Sequence, residues 1–118
     1  MIGRLRELVL APPATSERFH AVFLDDGKRI LSVAGFGEGA SNALKVSLRE
    51  LFRHALMVAA RSVIIAHNHP SGDCRPSAND IKATQRIAHI AEALEIELLD
   101  HLIFSQSGLY SIRKGGKL

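Results

Sequence analysis

The stretch "SVIIAHNHPSGDCRPSAND", residues 62–80, constrains the fold more than any other part of the chain. It opens on a short, nearly continuous apolar run, the composition of a strand buried on both faces at the centre of a sheet. Pro70 cannot donate a ladder hydrogen bond and so helps to end that strand, and Gly72 frees the backbone to turn. The chain then reaches a helix start, with Ser77 as a natural N-cap and Asp80 in the first turn.

The flanking segments supply the rest of the fold. "IGRLRELVL" predicts a short lead helix with Leu5, Leu8 and Val9 on one side, broken by "APPAT". "RFHAVFLD" and "KRILSVAGF" read as two strands joined at Asp26-Gly27, a strong hairpin signal. "GFGEGASNA" reads as a Gly-rich connector without the spacing of a phosphate loop. A helix is expected over 47–60, with Leu48, Leu51, Phe52, Ala55 and Ala59 as its apolar stripe. Ser47 followed by Glu50 has the form of a capping box. After Ser77, Ile81, Thr84, Ile87, Ala88, Ala91 and Leu94 recur at helical spacing, and "EIELLDHLIF" and "GLYSI" read as the last strands. The order β-β-α-β-α-β-β implies an α/β fold: one mixed sheet flanked by helices, in a single domain. Residues 1–16 form its N-terminal lead segment and 17–118 the domain proper.

The chemistry concentrates in the same stretch. Alternate side chains share a strand face, so His67 and His69 point one way and Asn68 the other. Two imidazoles at one strand end can grip a divalent metal, and an Asp at position 80 can complete a His-His-Asp site. Three protein ligands leave one tetrahedral position for water, the arrangement of catalytic zinc, which brings the water's pKa towards neutrality. Each part alone has a simpler reading. A His-x-His pair is often incidental, and Ser77 with Asp80 is a helix cap. Their joint occurrence, with a turn of the right length between them, is far more specific.

"HNHPSGDCRPSAND" resembles the JAMM metallopeptidase signature, His-x-His-Pro and then seven residues with Ser and Asp closing. The Asn-His-Pro-Ser-Gly wording is similar to the RadC branch of that family, and the likeness runs from about Glu17 through Ser111, including "LLDHLIF" and "YS". The resemblance implies a JAB/MPN architecture, similar to the cytidine deaminase fold. It implies zinc held by His67, His69 and Asp80, with Ser77 stabilising the tetrahedral oxyanion. It also implies an upstream general acid/base. "ERFHAVFLD" offers Glu17 for that role; Glu50, in "SLRELFRHAL", competes for it but already has a capping explanation. His101 is either support for a ligand or simple sheet packing. His20, His54 and His89 read as partly exposed strand or helix residues, and Cys74 as an exposed loop residue. RadC-like proteins commonly carry an N-terminal helical module resembling DNA-binding helix-hairpin-helix units. With sixteen residues ahead of Glu17, that module is expected to be absent or trimmed.

Two functions follow, from different classes. One is a zinc-dependent hydrolase acting on a peptide or isopeptide bond of a peptide or protein substrate. The other is a DNA-associated accessory protein, which rests on the DNA-repair label of the RadC family and on a pI near 9.4. A net charge of +3, scattered rather than massed, permits nucleic-acid binding without indicating it. Five Phe and one Tyr, mostly at core-like positions, offer no stacking platform. The single Cys74 cannot form an internal disulfide or the Cys pair of a zinc deaminase, and with no secretion signal or spanning segment a cytoplasmic setting without membrane contact is expected.

Overall fold

The computed structural model describes residues 1–10, 16–40 and 47–118. Its strands are β1 (Ser16–Leu24), β2 (Ile30–Ala40), β3 (Ser62–Asn68), β4 (Glu97–Ser105) and β5 (Gly108–Ser111), and its helices α1 (Ile2–Val9), α2 (Leu48–Met57) and α3 (Ala78–Ala93). The strands form one mixed sheet in the order β2-β1-β3-β4-β5. β3 is therefore central, as its apolar run implies; it is antiparallel to β1 and parallel to β4, with α3 as the crossover.

Strand alternation builds two cores. Phe19, Ala21 and Phe23 of β1, with Val63 and Ile65 of β3, pack against Leu51, Phe52 and Ala55 of α2 and Ile87 and Ala91 of α3. On the opposite face Val22, Leu24, Ala66, Leu102 and Phe104 enclose Leu5 and Val9 of α1. The odd-numbered residues of β1 and β3 thus face α2 and α3. That parity carries Glu17, His67 and His69 onto the side where α3 begins.

Two segments differ from expectation. The Gly-rich stretch is strand as far as Ala40: Gly35, Gly37 and Gly39 pair with His20, Phe19 and Glu17. An antiparallel ladder is a main-chain structure and needs no side chains from its edge strand. At Gly35 a Cβ would meet His20 Nε2 at 3.2 Å, so the bare backbone makes room for the ring. Ser41 to Ala43 of that stretch lie outside the described residues. The second difference is the end of α2. Helical geometry stops at Met57, and Ala59 is exposed in the left-handed region at φ 57. Ala60 N–H donates to Ala55 C=O at 2.9 Å, the bond that closes a Schellman turn, and Ala60 is buried where the stripe expected Ala59. α3 ends in the same way, with Glu95 at φ 60 and Ile96 N–H donating to Ala91 C=O at 2.8 Å.

Candidate metal centre

β1 and β3 run antiparallel with Phe19 opposite His67. Beyond that pair a side chain takes over from the ladder. Arg18 N–H donates to Asn68 Oδ1 at 2.6 Å, and Asn68 Nδ2 donates to Ser16 C=O at 3.1 Å. Asn68 is wholly buried, and its amide spans the two main-chain groups that bracket Glu17. Glu17 is itself buried, on the side of the histidines. Glu17, His67 and His69 each offer a ligand atom within 4.8 Å of the others.

His69 lies just past β3. Its N–H donates to Phe104 C=O at 2.8 Å, and its C=O accepts from Gly72 N–H at 3.2 Å, with Gly72 turning at φ 91. A carbonyl can only accept, so the 2.9 Å contact with Asp73 O makes His69 Nδ1 a donor and turns Nε2 inward. There Nε2 lies 3.0 Å from Asp80 Oδ2, and His67 Nε2 lies 3.5 Å from Asp80 Oδ1. Asp80 is held by a reciprocal cap: Ser77 N–H donates to Asp80 Oδ2 at 2.9 Å, and Asp80 N–H to Ser77 Oγ at 3.0 Å. The residues between the ligand positions are tied as well, since Arg75 clamps the Asp73 carboxylate at 2.7 Å.

These contacts set the protonation pattern. Burial holds His67 down to about 4, against the pull of the Asp80 carboxylate, so it is neutral. The hydrogen bond to Asp80 raises His69 above its ordinary value. Burial works against ionising Asp80, but hydrogen bonds from His69 and Ser77 outweigh it and keep the carboxyl well below the usual range. Within this site His67 Nε2 is buried and, among the described residues, makes no hydrogen bond. A neutral imidazole nitrogen in that position, beside a second imidazole and two carboxylates, suits a divalent cation.

The family model described as "RadC-like JAB domain" matches residues 4–117. The chain belongs to the RadC-like JAB domain family. A UPF0758 protein of Symbiobacterium thermophilum is 40% identical over 102 residues, which are 86% of this chain and 44% of that protein. A UPF0758 protein of Finegoldia magna is 40% identical over 99 residues, 84% of this chain and 44% of the relative. One of Cupriavidus pinatubonensis is 39% identical over 111 residues, 94% and 48% respectively. This RadC-like JAB domain thus spans under half the length of those relatives, and none of their names states an activity.

Within the RadC-like JAB domain, the residues singled out by sequence are placed as follows. His67, His69, Asp80 and Glu17 converge. Ser77 stands at the rim, exposed, with its hydroxyl oxygen already accepting from Asp80 N–H. Glu50 is on the exposed face of α2, where it binds Arg53 at 2.8 Å and does not return to cap Ser47. Cys74 is half-buried rather than exposed, and its Sγ would meet a Cβ on Gly108 at 3.4 Å. His101 lies directly beneath the site, its Nε2 2.6 Å from His67 Nδ1 and its Nδ1 2.6 Å from Thr84 Oγ1. Sequence reasoning missed two supports. Thr84 read only as part of an apolar stripe, and Asn68 only as the residue pointing away from the histidines. A polar side chain inside a buried strand or helix stripe must find a partner, and that was the available signal. No described helix is long and apolar enough to cross a membrane.

Proposed function

We propose that this domain is a zinc-dependent hydrolase of the JAMM type, cleaving a peptide or isopeptide bond. The observation that carries the reading is the buried, unpartnered Nε2 of His67, set among His69, Asp80 and Glu17. His67 and His69 would ligate through Nε2, and Asp80 through the carboxylate that already faces both. Zinc held there would supply a Lewis acid that polarises the scissile carbonyl and makes a water nucleophilic near neutral pH. Glu17, fixed by the Asn68 amide, would take the proton from the attacking water and pass it to the leaving amine. Ser77 can accept from Asp80 N–H and still donate its own proton, so it could steady a developing oxyanion at the rim. The neutral state of His67, set by its burial, supports this assignment, because a ligand imidazole must offer a lone pair.

The test is metal analysis of the purified protein beside a peptide-library cleavage assay, with and without chelator. We expect one zinc per chain and cleavage that chelator abolishes. Asp80→Asn and His69→Ala should lose the metal; Glu17→Gln should keep it and lose turnover. If Glu17→Gln loses the metal while Asp80→Asn keeps it, the two carboxylates exchange roles. Salt-dependent retention of labelled DNA without any cleavage would favour the DNA-associated reading instead.

A further inference from the structure

The hydrogen bonds beneath the metal centre carry a direction that can be read atom by atom. Thr84 Oγ1 is 2.7 Å from Asp80 O, and a main-chain carbonyl can only accept, so the single hydroxyl proton of Thr84 is spent there. Thr84 Oγ1 must then accept at its second contact, 2.6 Å away, and His101 Nδ1 must carry the proton. His101 is buried and its two ring partners are the Thr84 hydroxyl and the His67 imidazole, neither of them a carboxylate to stabilise a cation, so the ring is neutral and its Nε2 holds a lone pair. That lone pair faces His67 Nδ1 at 2.6 Å, which must in turn be the protonated nitrogen of His67. His67 Nε2 is then bare, and it is the nitrogen that makes no hydrogen bond and faces Asp80.

We infer that Thr84 and His101 are positioning residues that hold His67 in its Nδ1–H tautomer and so keep the Nε2 lone pair aimed at the metal position. The inference rests on the proposed metal centre only for its consequence in affinity; the tautomer itself is a property of the metal-free protein. The wiring also closes on itself. Asp80 belongs to the first turn of α3, its carbonyl anchors Thr84 one turn later, and its carboxylate faces the His67 nitrogen that the chain of bonds exposes. Seating α3 on the sheet therefore sets both the carboxylate and the imidazole lone pair. Without the Thr84 oxygen, His101 Nδ1–H has no acceptor, and His101 is free to turn its proton to Nε2. It would then donate to His67 Nδ1 and push the His67 proton onto Nε2, where it blocks a cation.

The test uses ¹⁵N-labelled, chelator-treated protein and long-range ¹H–¹⁵N spectra at neutral pH, which distinguish the two imidazole tautomers. We expect His67 and His101 to carry their protons on Nδ1, and a His67 proton on Nε2 in the wild-type protein overturns the inference. In Thr84→Val, which fills the same space without a hydroxyl, His67 should shift towards the Nε2–H form. Zinc association, read by competition with a chromophoric chelator, should weaken about 10–100-fold, the usual scale for loss of a group that orients a metal-bound histidine. Thr84→Ser should restore both readouts. A Val variant that folds and keeps the wild-type tautomer and zinc affinity shows Thr84 to be packing only, and overturns the inference. Should the Val variant fail to fold, the wild-type spectrum still decides. A wild-type protein that shows the expected tautomers but takes up no zinc removes the proposed function and leaves the relay standing.

Discussion

Replacing Asn68 by Ala tests whether one side chain holds the edge of the metal centre. The variant loses the bond from Arg18 N–H at 2.6 Å and the bond to Ser16 C=O at 3.1 Å, both made by a wholly buried amide. At about 1 kcal/mol for each internal hydrogen bond, the loss is about 2 kcal/mol. With an unfolding entropy of ~2.1 cal/mol/K per residue, a chain of 118 residues should melt roughly 8 °C lower. Denaturant titration followed by circular dichroism measures the free energy, and a thermal scan measures the shift. Asn68→Asp sharpens the test. The introduced carboxylate keeps an acceptor for Arg18 N–H but sets a second acceptor and a buried charge against Ser16 C=O, so it should cost more than Ala. Protonation returns a donor, so its deficit should shrink as pH falls. A change of less than about 0.5 kcal/mol in Asn68→Ala, the range of an ordinary surface substitution, refutes the idea that this amide holds the start of β1.

Ser77→Ala removes the acceptor for Asp80 N–H and should cost about 1 kcal/mol of stability, with zinc content near normal and turnover strongly reduced; loss of stability and zinc together leaves only the capping role. Ala59 and Glu95 stand where a Schellman turn favours glycine, so Ala59→Gly and Glu95→Gly should each stabilise by about 0.5–1 kcal/mol in denaturant titration, and a loss in either refutes the turn assignment. The metal-free protein should be most stable near pH 6.5, the ordinary value of histidine. Below it, His67, held down to about 4, binds its proton mainly in the unfolded chain, so stability falls with pH, by roughly 3 kcal/mol at pH 4 from this residue alone. His101 is lowered as well and acts in the same sense. Above pH 6.5 the raised His69 acts oppositely: its pairing with Asp80 stabilises fully below its unfolded pKa and is lost as pH rises through the folded one. Denaturation midpoints that rise steadily into acid would contradict this pattern.

Much of the centre was legible in one dimension because its parts are close along the chain. His67, His69, Ser77 and Asp80 fall within fourteen residues, where strand alternation, a Pro-Ser-Gly turn and a helix cap dictate local geometry with little help from the rest of the fold. The continuous apolar run of β3 announced a central strand for the same reason: a segment without polar alternation must be covered on both faces. The edge strand was less legible. Gly35, Gly37 and Gly39 have no side chains to alternate, so nothing in their pattern shows that β1 pairs with them.

What the tertiary structure decided is every contact that depends on register between distant strands. Glu17 reaches the histidines because Phe19 pairs with His67 and Asn68 continues that register with its side chain, an arrangement between segments about fifty residues apart. Thr84 and His101 meet beneath His67 only because β3 and β4 run parallel with α3 laid across them. Periodicity places a residue on a face, whereas a hydrogen bond needs two faces at a fixed distance, and only the packed sheet and helix supply that distance. The sequence by itself therefore determined which groups were available for the site, and the packing of α3 on β3 and β4 decided which nitrogen of His67 they expose.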